Sequence, residues 1–242
     1  MGLQGILHAI YPPQCINCGD GVVSDFGLCA DCWKGTPFIS GTVCEACGAP
    51  LMRGEDAGAQ HLHCDDCLTI ARPWAAGRAA LVYKDNARSM VLALKHGDRM
   101  DLARPAGDWL KRAASDILLP DMLVAPIPLH WTRLFKRRYN QAALLSARLA
   151  KLARLDHCPD LLTRARQTES QDGRGRDGRF VNVQGAFTPT PAEAARIAGR
   201  HILLVDDVMT SGATFSAATE ACLAAGAKSV RIVALARVVK DA

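Results

Sequence analysis

The sequence predicts an α/β domain with a mostly parallel sheet, preceded by a small cysteine-rich domain. Two observations carry this. From about Pro73 onward, short apolar runs alternate with amphipathic helical patterns, the signature of strand–helix–strand units. Before residue 68 lie eight of the ten cysteines, in a stretch with no long hydrophobic periodicity. The expected division is 1–72 and 73–242, with a short linker at 69–74. At 242 residues the chain suits one medium domain and one small one. With 49% hydrophobic and 22% charged residues it reads as globular rather than disordered.

The elements follow in order. Gly77 to Tyr83 reads as a strand, and Ala87 to His96 as an amphipathic helix stopped by Gly97. Met122 to Ile127 is an apolar strand running into Pro126-Ile127-Pro128. Asn140 to Ala153 carries apolar residues at helical spacing, and Leu161 to Arg166 is a short strand candidate. His201 to Val205 is an apolar strand. Ala213 to Ala225 is a helix ended by Gly226, and Ser229 to Ala236 is the last strand. The two later cysteines, Cys158 and Cys222, sit in apolar or helical surroundings and read as ordinary buried thiols.

The early cysteines form four pairs: Cys15/Cys18, Cys29/Cys32, Cys44/Cys47 and Cys64/Cys67, each Cys-x2-Cys. Such a turn places two thiolates on one side of a metal, and a second pair completes a tetrahedron. Eight ligands supply two four-sulfur sites, which implies two structural zinc ions with no open position for catalysis. Nearest pairing joins the first two pairs and the last two; interleaved pairing satisfies the spacing equally well. His61 and His63 stand beside Cys64 as alternative ligands. Disulfides and an iron–sulfur cluster are the competing readings. The first ten residues carry no basic stretch and no small-residue cleavage site, and no apolar run reaches membrane-spanning length. A cytoplasmic location without membrane insertion is expected, where clustered cysteines favour metal.

The stretch from His201 to Thr214 is the most informative. An apolar strand delivers two adjacent carboxylates, Asp206 and Asp207. Thr210, Ser211, Gly212, Ala213 and Thr214 follow, opening a helix. Carboxylates at a strand's C-terminal end face the ligand crevice of an open α/β sheet. Backbone N–H groups at a helix start, with several hydroxyls, cradle phosphate. Gly212 lets the backbone come close to the anion. The acids then suit ribose hydroxyls, directly or through Mg²⁺. A plain helix cap needs only one such residue.

This segment resembles the 5-phosphoribosyl-1-pyrophosphate (PRPP) motif of the type I phosphoribosyltransferases. The resemblance implies that Asp206 and Asp207 contact the ribose and that Thr210 to Thr214 hold the 5′-phosphate. It also implies a pyrophosphate loop at Pro126-Ile127-Pro128, beside a basic run that includes Arg133, Lys136, Arg137 and Arg138. It makes the arginine-rich, glycine-rich stretch 164–179 a mobile hood, with Arg174 and Arg176 brought to the developing pyrophosphate charge. A nucleic-acid contact is the competing reading of the same stretch, and the two are not exclusive.

The whole order resembles the ComF family, linked to competence for DNA uptake. It comprises the four cysteine pairs, Tyr83, Lys95-His96-Gly97-Asp98, Pro126-Ile127-Pro128, Arg137-Arg138-Tyr139-Asn140-Gln141, Thr168-x2-Gln171, Arg179-x2-Asn182-Val183-x-Gly185-Ala186-Phe187 and Asp206-Asp207. Arg138 and Tyr139 stand where the family commonly has Gly and Phe, and Arg174 where leucine is usual. The resemblance implies a type I phosphoribosyltransferase fold with an N-terminal double zinc ribbon, and PRPP with Mg²⁺ as ligand. Single-stranded DNA, competence-machinery proteins and a second copy of the chain are further candidate partners. Three activities fit: transfer of a phosphoribosyl group to an unknown nitrogen acceptor, a non-catalytic PRPP-sensing module that binds single-stranded DNA, and a regulator that binds PRPP without turnover. Aromatic residues are scarce, at 5%, which limits any base-stacking surface. The net charge of +5 suits an anionic ligand without selecting one.

Overall fold

A computed structural model describes residues 8, 10–51, 62–166, 180 and 182–239. Strands β1 (Ala76–Val82), β2 (Leu123–Pro126), β3 (Asp156–His157), β6 (His201–Met209) and β7 (Ser229–Arg237) form one sheet in the order β1-β7-β6-β2-β3. Every pairing in it is parallel. Short helices α1 (Ala30–Lys34) and α2 (Asp65–Thr69) lie in the cysteine-rich segment, and α3 (Asp85–His96), α4 (Ala103–Ala113) and α6 (Gln141–Ala153) belong to the crossovers from β1 to β2 and from β2 to β3. Helix α7 (Ala213–Ala224) links β6 to β7. A separate antiparallel hairpin pairs β4 (Leu162–Arg164) with β5 (Phe187–Pro189).

Strand periodicity divides the core in two. Ile202 and Leu204 of β6, Leu123 and Ala125 of β2, and Ile232 of β7 face the layer that holds α7 and the hairpin. Leu203 and Val205, Val124 and Val233 face α3, α4 and α6. Successive side chains of a strand point to opposite faces. This alternation therefore fixes which layer each later residue of β6 addresses.

Four features differ from the sequence expectation. Strand β6 runs on to Met209 because β7 pairs with it throughout, up to Met209 against Arg237. Helix α4 was not expected, since Pro105 and Gly107 lower helical propensity. Pro105 lies in the first turn, where its missing N–H costs little. At Gly107 an added Cβ would lie 2.1 Å from Cγ of Arg148 on α6, so the glycine serves close helix contact. The basic run after Pro128 is helical, forming α5 (Trp131–Arg137). Expected strand Leu161 to Arg166 is shorter and belongs to the hairpin.

The N-terminal segment straddles the edge of the sheet. Ile16, Phe26 and Phe38 pack into the α3/α4 layer, whereas Cys44, Cys47, Ala49 and Cys67 join the α7 layer. Between them the chain runs along edge strand β1. Ile39 N–H donates to Ala80 O (2.9 Å), Val82 N–H to Pro37 O (2.9 Å) and Gly77 N–H to Glu45 O (2.9 Å). The free edge of β1 is thus covered, which removes a template for unwanted strand addition. Two glycines permit the approach. Gly48 has φ +69° and its Cβ would meet Ala79 N at 2.5 Å; a Cβ on Gly77 would sit 2.4 Å from Ala46 O.

Gly77→Ala is expected to destabilise the protein by about 1–3 kcal/mol through overpacking. Gly21→Ala, where a Cβ meets nothing within 4 Å, should stay within about 0.5 kcal/mol. Urea unfolding of the two variants checks the contrast; equal losses would contradict the close-docking account.

Candidate functional site

The connections of the sheet leave β6 by α7 toward β7 on one side and leave β2 by α6 toward β3 on the other. The crevice between the C-terminal ends of β6 and β2 is therefore the switch point of the fold, where open α/β sheets hold ligands. Pairing of β2 with β6 ends at Pro126 against Val205, and Ile127 N–H still donates to Val205 O (2.8 Å). Asp206 and Asp207 come next on β6. They are the first residues with no β2 neighbour, so they border an open cleft of about 260 Å³.

Alternation sends the two acids to different layers. On the α3 side, Lys95 Nζ lies 3.2 Å from Oδ1 of the buried Asp207. Asp206 accepts from the Asp207 N–H at 2.8 Å. Burial first, then the charge of Asp207, raises the Asp206 carboxyl to about 7; Lys95 and Arg164 act in the opposite sense. Arg164, at the end of β4, borders the cleft. Burial first, then the charge of Arg133, lowers it to about 10, while Asp206 opposes this.

The cleft gathers Ile127, Pro128, Arg137, Asp206, Asp207, Thr210 and Thr214 from the sequence-derived candidates. Pro126 ends β2 behind the wall. Ser211, Gly212 and Ala213 form the turn into α7, with Gly212 at φ 85° as N-cap. Arg138 is exposed, takes the left-handed conformation that caps α5 (φ 66°), and does not border the cleft. Arg174 and Arg176 lie outside the described residues, as do Thr168, Gln171 and His61. The base of the arginine-rich stretch is anchored beside the cleft, however. Ala165 N–H donates to Ala186 O (3.0 Å) and Arg166 to Gln184 O (2.7 Å).

Tyr83, Lys95, Arg133, Asn140, Gln141 and Arg164 also border the cleft. Sequence reasoning placed Arg133 in the basic run beside the pyrophosphate loop and Arg164 at the start of the hood stretch, and gave the other four no role there. The run from Arg137 to Gln141 stitches two walls together. Tyr139 O–H donates to Leu94 O (2.6 Å) and Gln141 Nε2 to Lys95 O (3.4 Å), which ties down the end of α3. Asn140 Nδ2 donates to Ile127 O (3.1 Å), while its Oδ1 caps α6 at Ala142 N–H (3.0 Å). Lysine in the last turn of a helix, just before Gly97, is the local signal that could have marked Lys95.

The cysteines resolve into Cys15, Cys18, Cys29 and Cys32, and Cys44, Cys47, Cys64 and Cys67, with all sulfurs of a set within 4.8 Å of one another. This is the nearest pairing. Cys18 and Cys29 sulfurs lie 3.7 Å apart, and those of Cys47 and Cys64 3.6 Å. A zinc tetrahedron with bonds of about 2.3 Å has edges of about 3.8 Å. Donors also face the sulfurs: Cys29 N–H to Cys15 Sγ (3.3 Å) and Asn17 Nδ2 to Cys32 Sγ (3.3 Å). Both sets fit zinc, and four thiolates each fill its coordination. Cys158 and Cys222 are buried. Burial, with the Glu193 carboxylate second, raises the Cys158 thiol to about 11, and burial alone raises Cys222 to about 12; both are inert thiols.

Comparison with known proteins agrees with both halves. A double zinc ribbon domain model matches residues 6–68, and a phosphoribosyl transferase domain model matches residues 167–241. The chain is 28% identical over 219 residues to the DNA utilization protein YhgH of Escherichia coli (strain K12), covering 88% of this chain and 91% of that protein. It is 26% identical over 231 residues to Competence protein F of Haemophilus influenzae, covering 93% and 96%. The chain is thus similar to these proteins over nearly all of its length. Its fold is the type I phosphoribosyltransferase fold with an N-terminal double zinc ribbon. Among solved structures, glutamine PRPP amidotransferase from B. subtilis, complexed with ADP and GMP, aligns over 59% of this chain and 30% of its own. That match has 14% identity and a TM-score of 0.40, too loose to argue from. Among the described residues no helix is long and apolar enough to cross a membrane.

Metal analysis of the purified protein should find two zinc ions per chain, and Cys18→Ser should lower this to one while leaving the second set loaded. Two ions retained in Cys18→Ser, or well under two in the parent, would contradict the double-ribbon assignment.

Proposed function

We propose that the cleft binds PRPP with Mg²⁺ and transfers its phosphoribosyl group to a nitrogen acceptor, in nucleotide or DNA metabolism linked to DNA uptake. The observation that carries this reading is the pairing of acids and bases across the switch point. Asp206 and Asp207 face Arg164, Arg133 and Arg137 over one small cleft, with the start of α7 beside them. In this reading the two acids hold the ribose hydroxyls and the ion. Thr210 to Thr214 receive the 5′-phosphate on backbone N–H groups and hydroxyls. Ile127, Pro128, Lys95, Arg137 and Arg133 face the pyrophosphate, whose several charges need a cationic wall. Magnesium, when bound, supplies further positive charge to the leaving pyrophosphate. The reacting C1 develops oxocarbenium character, so the chain's contribution is positioning and charge stabilisation. The resemblance assigns Arg174 and Arg176 to the developing charge of the leaving pyrophosphate.

One feature favours a second reading, in which PRPP is sensed rather than consumed and single-stranded DNA is the partner. Helix α5, at the mouth of the cleft, exposes Trp131 (63%) and Phe135 (81%) next to Arg133 and Arg138. Aromatic faces among arginines stack bases without sequence preference. Competence-machinery proteins are further partners under this reading, which follows the naming of the relatives.

Calorimetric titration with PRPP and Mg²⁺ is expected to show binding to the parent and none to the Asp206→Ala/Asp207→Ala double variant; equal affinity would overturn the site. Because Asp206 is raised to about 7, its proton competes with a bound cation below that pH. Affinity should therefore rise from pH 6 toward pH 8, by at most tenfold per unit, and this dependence should vanish in Asp206→Asn. Mg²⁺-dependent pyrophosphate release on adding bases or amines supports transfer. Binding of PRPP with no release for any acceptor, together with salt-sensitive capture of single-stranded DNA, supports the second reading.

A further inference from the structure

The second cysteine set is joined to the phosphate loop by two arginines. Arg72 follows Cys67 by five residues. Its Nη1 donates to the carbonyl of Ser211 at 2.7 Å. Its guanidinium stacks on Trp74, 5.4 Å from the ring centroid. Its Nε and Nη2 atoms are buried and have no hydrogen-bond partner among the described residues. Through Trp74 the guanidinium is tied to the turn between Cys44 and Cys47.

Arg237, at the end of β7, is the other strut. It is 3% exposed. It donates to the carbonyls of Thr210 and Val238, and to that of Met209 at 3.4 Å. Its Nη2 lies 3.9 Å from Asp66 Oδ2, and Asp66 stands between Cys64 and Cys67 on helix α2 (Asp65–Thr69). Packing closes the frame. Trp74 donates to Ala46 O, between Cys44 and Cys47, and meets Phe215 of α7 at 6.3 Å between ring centroids. A Cβ on Gly212 would strike Arg72 Nη1 at 2.9 Å and Trp74 Cη2 at 3.1 Å.

We infer that Arg72 is a positioning residue that uses the Cys44/Cys47/Cys64/Cys67 set as an anchor to hold the Thr210–Thr214 loop in its phosphate-receiving shape. Among the described residues the first cysteine set has no such link: it packs on the opposite layer through Ile16 and Phe26. The two ribbons therefore have unequal roles, and only the second acts on the ligand loop. The inference deepens the PRPP reading and, for its affinity arm, rests on it.

The test uses the full chain with Arg72→Met and Arg72→Lys, which keep all eight cysteines. Hydrogen exchange on the ligand-free protein reads the loop directly. Arg72→Met is expected to speed exchange roughly tenfold at residues 210–216, with zinc content and exchange at residues 30–34 equal to the parent. PRPP affinity should fall roughly tenfold. Arg72→Lys retains a donor but not the fork, so it should recover part of both effects. Unchanged loop exchange in Arg72→Met overturns the inference, whatever the affinity does. Faster exchange in that variant, with a parent that binds no PRPP, leaves the anchor standing and removes the PRPP reading instead. As a second check, Cys18→Ser should leave loop exchange at the parent rate, and accelerated exchange there would refute the unequal roles.

Discussion

Strand β6 is hydrogen-bonded along its full length to β7 but loses β2 at Val205. The next two residues are therefore held rigidly on one side and open on the other. Both are carboxylates, and strand alternation turns one to each layer of the domain. Rigid pairing to β7 makes the arrangement tolerable, because neither acid can retreat from its partly dehydrated position. The layers answer with opposite charge: α3 brings Lys95 to Asp207, and the hairpin end brings Arg164 toward Asp206. A carboxyl raised to about 7 beside an ion-paired neighbour is poised to take a cation in place of a proton.

The double ribbon contributes to this frame rather than sitting apart from it. A short cysteine-rich segment has too little apolar surface to fold on its own core, and here it borrows both faces of the sheet. In return it covers the free edge of β1 and braces the loop that follows β6. Gly48 and Gly77 record the closeness of that docking, since neither position has room for a Cβ. Ribbon, edge strand and the loop after β6 thus form one mechanical series.

What was legible in the sequence was local. Four Cys-x2-Cys turns declare their chemistry because both ligands of a turn are neighbours in the chain. Asp206-Asp207 with the Thr/Ser/Gly loop is legible for the same reason: strand, acids and helix start are contiguous. Spacing left the pairing of the cysteines open, and only the fold brought the first two pairs and the last two pairs together. Residues that reach the cleft from elsewhere were not legible as site residues. Lys95 and Gln141 meet through a backbone carbonyl across separate elements, and Arg164 arrives on a hairpin outside the main sheet. Helix α4 was hidden because Pro105 and Gly107 read as breakers, whereas packing against Arg148 makes Gly107 an advantage. Arg72 looked like linker, and its role depends on a contact 139 residues away.

The central claim is that the two acids and the α7 loop form one ligand site at the switch point. A crystal structure of the full chain soaked with PRPP and Mg²⁺ tests it most directly. The account predicts ribose oxygens or the ion on Asp206 and Asp207, the 5′-phosphate on the N–H groups of residues 210–214, and the pyrophosphate toward Lys95 and Arg137. PRPP bound elsewhere, or the Lys95–Asp207 pair and the cleft left untouched at saturating ligand, would contradict it.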